Sequence, residues 1–203
     1  MHTPHQPTEA VRPRRRADAE RSIARILDAA VEALGEDQDA SMSTIARRAG
    51  VVRATIYVHF PTREALLEAV TRRAFEEVGA GIARAEPEHG DPVDALTRAV
   101  AATWRTLGRY HALVAINTAA DTHEELRHRH GSVLDSLLPL IERGQADGTF
   151  RTDVSAAWHL SMVMALVHAA SAELRAARVS EEDAEKALLA TVLGAVTGPS
   201  SRG

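Results

Sequence analysis

The feature that most constrains this fold is a pair of short helices joined by a small turn near the N-terminus. Residues 41–50 read SMSTIARRAG, and residues 51–60 continue as VVRATIYVHF. Ser41 suits the N-cap of the first short helix, because its hydroxyl can accept a hydrogen bond from a free backbone N–H. Gly50 suits the left-handed residue that ends this helix, where a β-branched side chain would be strained. The pattern predicts a helix-turn-helix, in which the first helix supports the second.

Hydrophobic periodicity predicts helices along the rest of the chain. Residues 21–35 carry an apolar stripe at helical spacing, formed by Ile23, Ile26, Leu27, Ala30, Val31 and Leu34. Two prolines and a glycine make residues 86–92 the clearest break. Further helices are predicted at 63–78, 92–108, 110–118, 122–146, 154–178 and 180–197. We therefore predict an all-α fold with an N-terminal helix-turn-helix domain and a larger helical domain after it.

Composition agrees with a helical protein and excludes several chemistries. Of the 203 residues, 45% are hydrophobic but only 3% are aromatic, so the core must consist of Ala, Leu and Val. The chain has no cysteine, which excludes disulfides, thiolate metal ligands and cysteine nucleophiles. It contains neither an apolar signal region nor about 18 uninterrupted apolar residues. We expect a cytoplasmic protein without a membrane span.

Charge is distributed unevenly along the chain. Residues 1–73 carry 12 Arg against 10 Asp and Glu, a balance of +2, and the remainder carries 12 basic against 18 acidic residues, a balance of −6; the sum is the net charge of −4. Arginines crowd the start, at Arg12, Arg14, Arg15, Arg16, Arg21 and Arg25. Such an arm can follow a phosphate backbone or enter a minor groove. A disordered, solvated arm over residues 1–16 is an equally weighted alternative.

The second helix of the pair, over residues 52–59, offers a mixed outer face that suits nucleic acid. We expect Val52, Ile56 and Phe60 to pack inward. Arg53 can donate two hydrogen bonds to guanine, and Ala54 can contact a thymine methyl. The remaining polar side chains suit the phosphate backbone: Thr55, Tyr57 and His59. A solvated face on an ordinary helical bundle is the alternative, but the turn before this helix and the Phe60-Pro61-Thr62 segment after it favour DNA.

The segments ILDAA and TIARRAGVVRATIYVHFPTREALLEAV, within residues 21–70, resemble the N-terminal domain of the TetR family of bacterial transcriptional regulators. The resemblance implies an all-helical homodimer that binds DNA through its three N-terminal helices and holds a small-molecule effector in its C-terminal domain. It also implies DNA contacts by Arg53, Ala54, Thr55, Tyr57 and His59, with Thr44 and Arg63 on phosphates. The chain departs from the family at Val52, where Ser or Thr is usual, so the third helix lacks a side-chain N-cap.

The C-terminal half is expected to supply dimerisation and ligand binding. The segment VSAAWHLSMVMALVHAASAEL is apolar almost all round, and the last helix carries a stripe of Leu188, Leu189, Val192, Leu193 and Val196. Paired with a second chain, these helices would form a four-helix interface, although they could instead be core. The side chains that best suit an effector pocket are Trp104, His111, Trp158, Met162, Met164 and His168, each of which could also be plain core.

Ten histidines raise the alternative of a metal-dependent enzyme centred on residues 123–130. His123, His128 and His130 lie beside Glu124 and Glu125. Arginines interrupt this set, and a zinc site usually needs a tighter one, so a solvated charged helix is favoured. No nucleophile–base pattern or phosphate-binding glycine loop is present. We predict no enzyme activity, no cofactor and no metal site.

These observations predict a sequence-specific transcriptional regulator, most simply a repressor released from a palindromic operator by a small hydrophobic effector. Its partners would be double-stranded DNA, a second copy of the chain and the effector, with no membrane. The predicted organisation is a disordered basic arm over residues 1–16, a helix-turn-helix domain over 17–66, an effector-binding and dimerisation domain over 67–198, and a flexible tail over 199–203.

Overall fold

The described part of the protein is helical throughout, as predicted. A computed structural model describes the backbone of residues 11–113, 116 and 123–198, and the side chains of these residues except 11–16, 123–129 and 132. The helices are α1 (Val11–Glu36), α2 (Met42–Arg48), α3 (Arg53–His59), α4 (Arg63–Arg84), α5 (Pro92–Arg109), α6 (His123–Ala146), α7 (Ala156–Arg175) and α8 (Glu181–Thr197). None of them combines the length and the apolar character that a bilayer crossing requires.

α1 begins earlier than the hydrophobic pattern predicted. Its helical backbone starts at Val11 rather than near residue 21, and therefore includes residues 11–16, which sequence analysis had assigned to a disordered arm. The apolar stripe could not reveal this start, because the first two turns carry mostly charged side chains. Residues 1–10 and the predicted tail over 199–203 lie outside the described residues.

The chain divides into two compact units, Met1–Val70 and Thr71–Gly203. α4 begins in the first unit and ends in the second. The core of the first unit is small and largely aliphatic, and its fully buried side chains include Ile26, Ala30, Leu34, Ile45, Ile56, Leu66 and Val70. The division lies close to the domain boundary expected at residues 66 and 67, which remains a prediction.

The second unit is built around α5, α6, α7 and α8. Its core includes Ile82, Leu96, Trp104, Leu140, Ile141, Phe150, Leu160, Val192 and Val196. Asp91 caps α5, since its carboxylate accepts from the N–H groups of Val93 at 2.8 Å and Asp94 at 3.2 Å. Pro92 follows in the first turn, as predicted, where a missing N–H costs nothing.

Most of the apolar stripe predicted on the last helix, α8, faces the core of its own protomer rather than a second chain. Leu188, Val192 and Val196 are buried within the protomer, whereas Leu189 and Leu193 are only partly buried. The expectation that all five residues of the stripe lie in an interface between two chains is therefore wrong for Leu188, Val192 and Val196. Residues at i, i+4 and i+8 share one side of a helix, and α8 turns that side toward α5 and α7 of the same chain.

Candidate functional site

The helix-turn-helix has the local geometry that its sequence predicted. Ser41 Oγ accepts from the Thr44 N–H at 3.1 Å and so caps α2. Gly50 adopts φ +65°, and the N–H of Val51 donates to the Ala46 carbonyl at 3.0 Å, which closes the turn. Ile56 and Phe60 are buried and anchor α3 in the first unit. The turn and these two anchors decide which side of α3 faces outward.

Val52 does not pack inward, contrary to expectation. Its side chain is 69% exposed, and its backbone is extended, with φ −73° and ψ 150°. Val52 occupies the N-cap of α3 and is not yet part of the helix. The helical spacing of 100° per residue, on which its predicted burial depends, therefore does not apply to it. As predicted, α3 has no side-chain hydrogen bond at its N-cap.

The outer face of α3 presents the predicted DNA-contacting residues to solvent. Arg53, Ala54 and Tyr57 are exposed, while Thr55 and His59 are half-buried at the edges. The Arg53 guanidinium carbon lies 5.6 Å from the centre of the Tyr57 ring, one turn further along. This cation–π contact orders the two largest side chains of the face together. An arginine stacked in this way keeps its N–H groups directed at its surroundings and available for a base edge.

Thr44 and Arg63, the predicted phosphate contacts, both have partners inside the first unit. Thr44 Oγ1 lies 3.0 Å from Ser41 Oγ and is half-buried. Arg63 donates through one guanidinium nitrogen to the Gln38 carbonyl. Thr62 Oγ1 accepts from the Ala65 N–H at 3.1 Å and so caps α4. A phosphate contact by Arg63 would have to use its other N–H groups.

Two exposed residues beside this face were not selected from the sequence. Val58 is 77% exposed, which is unusual for a β-branched apolar side chain and suits a thymine methyl. Arg47 is exposed in the last turn of α2, one turn beyond Thr44. Its neighbour Arg48 instead donates to Glu36 at 2.6 Å, and this hydrogen bond lowers the pKa of the Glu36 carboxyl. Helical spacing from Thr44 was the signal that could have identified Arg47.

The second unit contains a small internal cavity of about 60 Å³. Apolar side chains provide most of its lining: Phe75, Val78, Val100, Leu107, Val133, Leu134, Leu137, Leu160, Val163, Met164 and Val167. The polar residues that line it are Thr103, His130 and His168. The cavity is too small for a drug-sized molecule, since such sites typically enclose about 300–1,000 Å³.

The predicted pocket residues divide into those that line this cavity and those that do not. His168 lines it, as does Met164. Trp104 is 2% exposed and belongs to the surrounding core, and Met162 is partly buried against that core. His111 begins the helical residues 111–113 that follow α5, with Nδ1 2.9 Å from the Gly108 carbonyl. Trp158 lines no part of the cavity, because it points outward from the first turn of α7 and is 64% exposed.

The histidines show no metal geometry in the part of the chain with described side chains. No group of three His, Asp or Glu side chains that could hold a metal occurs there. His130, from the predicted cluster, faces the cavity and contacts aromatic rings instead. The side chains of His123, Glu124, Glu125 and His128 lie outside the described residues. The alternative of a metal-dependent enzyme therefore gains no support.

Comparison with known sequences places the first unit in a defined family. Residues 26–70 match bacterial regulatory proteins of the tetR family. The HTH-type transcriptional repressor LfrR of Mycolicibacterium smegmatis is 40% identical over 89 residues, which cover 44% of this chain and 47% of LfrR. The HTH-type transcriptional repressor NicS of Pseudomonas putida is 27% identical over 167 residues, which cover 76% of this chain and 77% of NicS.

The first unit of this chain is therefore similar to the N-terminal domain of the TetR family of bacterial regulatory proteins. The match to LfrR spans slightly less than half of that protein's length. Proteins of that family are DNA-binding transcription regulators rather than enzymes.

Solved structures share the fold along most of the chain. A TetR-family regulator from Rhodococcus sp. has a TM-score of 0.72 at 22% identity, covering 88% of this chain and 100% of its own. The LfrR structure from Mycobacterium smegmatis, solved in complex with proflavine, has a TM-score of 0.67 at 23% identity, covering 89% of this chain and 98% of its own. At 22% and 23% identity, the similarity to these two structures shows a shared fold and nothing more specific.

Proposed function

We propose that this protein is a homodimeric repressor of the TetR family that binds a palindromic operator and is released from it by a small molecule. The observation that carries the proposal is the outer face of α3. Arg53 and Ala54 are exposed on it beside Tyr57, while Ile56 holds the helix in the core. Arginine and small apolar side chains on one exposed helix suit the major groove, where each base pair shows a distinct pattern.

Dimerisation is supported by the outward faces of α7 and α8. Trp158, Ala165 and Ala169 are exposed on α7, and Ala190 and Gly194 are exposed on α8. Small side chains let two helices approach closely. The exposed tryptophan beside them adds apolar surface that a partner helix can bury. A second copy would bury this surface in a four-helix interface. Two-fold symmetry would then match the symmetry of a palindromic DNA site.

Effector release is supported by the position of α4. This helix begins within the DNA-binding unit at Arg63, and its residues Phe75 and Val78 line the internal cavity. A ligand that enlarges the cavity would displace α4 and favour a dimer state in which the two α3 helices no longer fit successive grooves. Coupling of this kind is typically about 1–3 kcal/mol.

Selection of bound duplexes from a random pool is the decisive test. We expect enrichment of a sequence with two-fold symmetry, and binding that weakens steeply as salt rises because phosphate contacts release counterions. The selection should be run at moderate ionic strength, so that non-specific binding does not mask the preference. Recovery of the unselected base composition after several rounds would refute sequence-specific regulation.

Substitution of α3 residues tests the assigned roles against the selected operator. Arg53→Ala should cost about 1–3 kcal/mol of binding free energy and relax the preference at one base position. Tyr57→Phe provides the contrast, because loss of a phosphate contact should weaken all operator variants alike. Fluorescence anisotropy across a set of single-base operator variants measures both effects. If Arg53→Ala weakened every variant equally, base recognition by Arg53 would be wrong.

A further inference from the structure

We propose that the cavity of the second unit selects uncharged effectors over cations, and that His168 donates or accepts the hydrogen bond that orients them. This inference rests on the effector-dependent function proposed above. It concerns the chemical class of the ligand, which neither the fold nor the family resemblance decides.

The first step is the absence of a counter-charge among the described residues that line the cavity. The polar side chains facing it are Thr103, His130 and His168, and neither a carboxylate nor a guanidinium joins them. The hydroxyl of Thr103 already donates to the Ala99 carbonyl at 2.9 Å. Burying an ammonium against this lining would leave its charge uncompensated, which is strongly unfavourable.

The second step is the arrangement of the aromatic rings. His130 meets Phe75 edge to face, with centroids 4.9 Å apart and planes inclined by 86°. The His168 ring lies 5.2 Å from the His130 ring, inclined by 66°. Three rings on α4, α6 and α7 are therefore adjacent in the cavity lining. The rest of the lining is aliphatic apart from Met164 and Thr103.

The third step concerns protonation. Burial lowers the pKa of His168 to about 4, and the neighbouring His130 acts in the same direction. At neutral pH the His168 imidazole is therefore uncharged. A neutral imidazole offers one N–H donor and one nitrogen acceptor, which suits a hydroxyl or a carbonyl on the ligand. Its ionised form would repel a cation.

Size points to a small ligand or to a cavity that opens on binding. The volume of about 60 Å³ leaves room for little more than a few water-sized groups. Met164 and Leu107 on the lining can change rotamer to admit a single ring. An aromatic alcohol is the simplest molecule that combines an apolar body with one hydrogen-bonding group.

Two probes of nearly equal size separate the charge classes: benzyl alcohol and benzylammonium. Isothermal titration of each into the full chain at pH 7.4 gives its dissociation constant. We expect benzyl alcohol to bind at least about tenfold more tightly than benzylammonium. Comparable binding of benzylammonium, or binding of neither probe, would overturn the inference.

Variants at position 168 locate the effect in the cavity. His168→Asp adds a carboxylate and should raise the affinity for benzylammonium by about tenfold relative to the parent chain. His89→Asp makes the same substitution at an exposed position outside the cavity lining and should change nothing. If His168→Asp does not fold, His168→Leu serves instead, and it should abolish the preference for benzyl alcohol over toluene. An unchanged preference in His168→Leu would exclude the proposed hydrogen bond.

DNA binding must be measured on the same preparations, so that the two proposals fail separately. A protein that selects an operator but binds benzylammonium as well as benzyl alcohol would remain a regulator and contradict only the charge selectivity. A protein that binds benzyl alcohol selectively but shows no DNA preference would contradict the regulatory proposal instead.

Discussion

At Gly50 the backbone enters the left-handed region that links the two short helices of the DNA-binding unit. Its φ is +65°, and a Cβ added there would meet no heavy atom within 4 Å. A side chain at this position would therefore be strained by the backbone alone and not by a clash. The sequence pattern could predict this conformation because an Ala-Gly pair after a capped turn of helix has few alternatives.

Gly50→Ala isolates this backbone strain. We expect it to lower the free energy of unfolding of the first unit by about 1 kcal/mol, the usual cost of a left-handed alanine. Gly35→Ala is the matched control in the same unit, because Gly35 lies in α1, also has open space around it and does not have a positive φ. That control should be neutral or stabilising by about 0.4–1 kcal/mol. Denaturant unfolding gives the free energy of unfolding of both variants. If both substitutions lowered that free energy, this interpretation would be contradicted.

The side chains of α3 also show which features can be predicted from positions in the sequence and which cannot. Arg53 and Tyr57 lie one turn apart in the sequence, so their shared face could be predicted. Their cation–π contact is a matter of rotamers and required coordinates. The exposure of Val52 was predicted wrongly, because the residue belongs to the N-cap and not to the helix.

At the scale of the elements, the turn between α6 and α7 is held by several contacts of its own. The Phe150 N–H donates to the Gly144 carbonyl at 2.7 Å, and its ring covers the glycine. Gln145 Nε2 donates to the carbonyls of Arg151 and Val154, both at 2.9 Å. The gap between the helices predicted at 122–146 and 154–178 falls here, but the close approach of Phe150 depends on tertiary packing.

Gly144→Ala should destabilise the second unit by about 3 kcal/mol. A Cβ at this position would lie 2.2 Å from Cδ2 of the buried Phe150 ring, so the ring or the helix must move. Gly131→Ala, in the same helix with open space around it, should show no such loss. Thermal unfolding measures both variants. In a Phe150→Leu background the cost of Gly144→Ala should fall, and an unchanged cost would exclude the ring as its cause.

At the scale of the whole molecule, the proposed assembly depends on apolar surface that one protomer leaves uncovered. α7 and α8 each bury one side in the core and expose small side chains on the other. Hydrophobic periodicity could not separate these sides, because both helices are apolar around most of their circumference. The structure assigns Leu188, Val192 and Val196 to the protomer core. Ala165, Ala169 and Trp158 are left as the surface available to a partner.

Ala169→Glu tests this surface. Placing a charge within a close-packed dimer interface should shift the protein from dimer to monomer at micromolar concentration. Ala83→Glu makes the same change at an exposed position of α4 and should leave the dimer intact. Sedimentation velocity of the two variants and the parent chain gives the distribution of species. A monomeric parent chain would refute the two-fold docking model, and a fully dimeric Ala169→Glu variant would exclude this part of α7 from the interface.

The sequence by itself determined the all-helical class, the helix-turn-helix with its caps, and the resemblance of the first unit to a known family, because these depend on local spacing and backbone preference. Ser41, Gly50 and Thr62 each act on neighbours within a few residues, so their roles can be predicted without coordinates. Only the tertiary structure decided that Trp158 is exposed and that His168 faces a cavity beside His130. Those outcomes depend on which side of an almost wholly apolar helix meets the core, and on contacts between residues far apart in the chain.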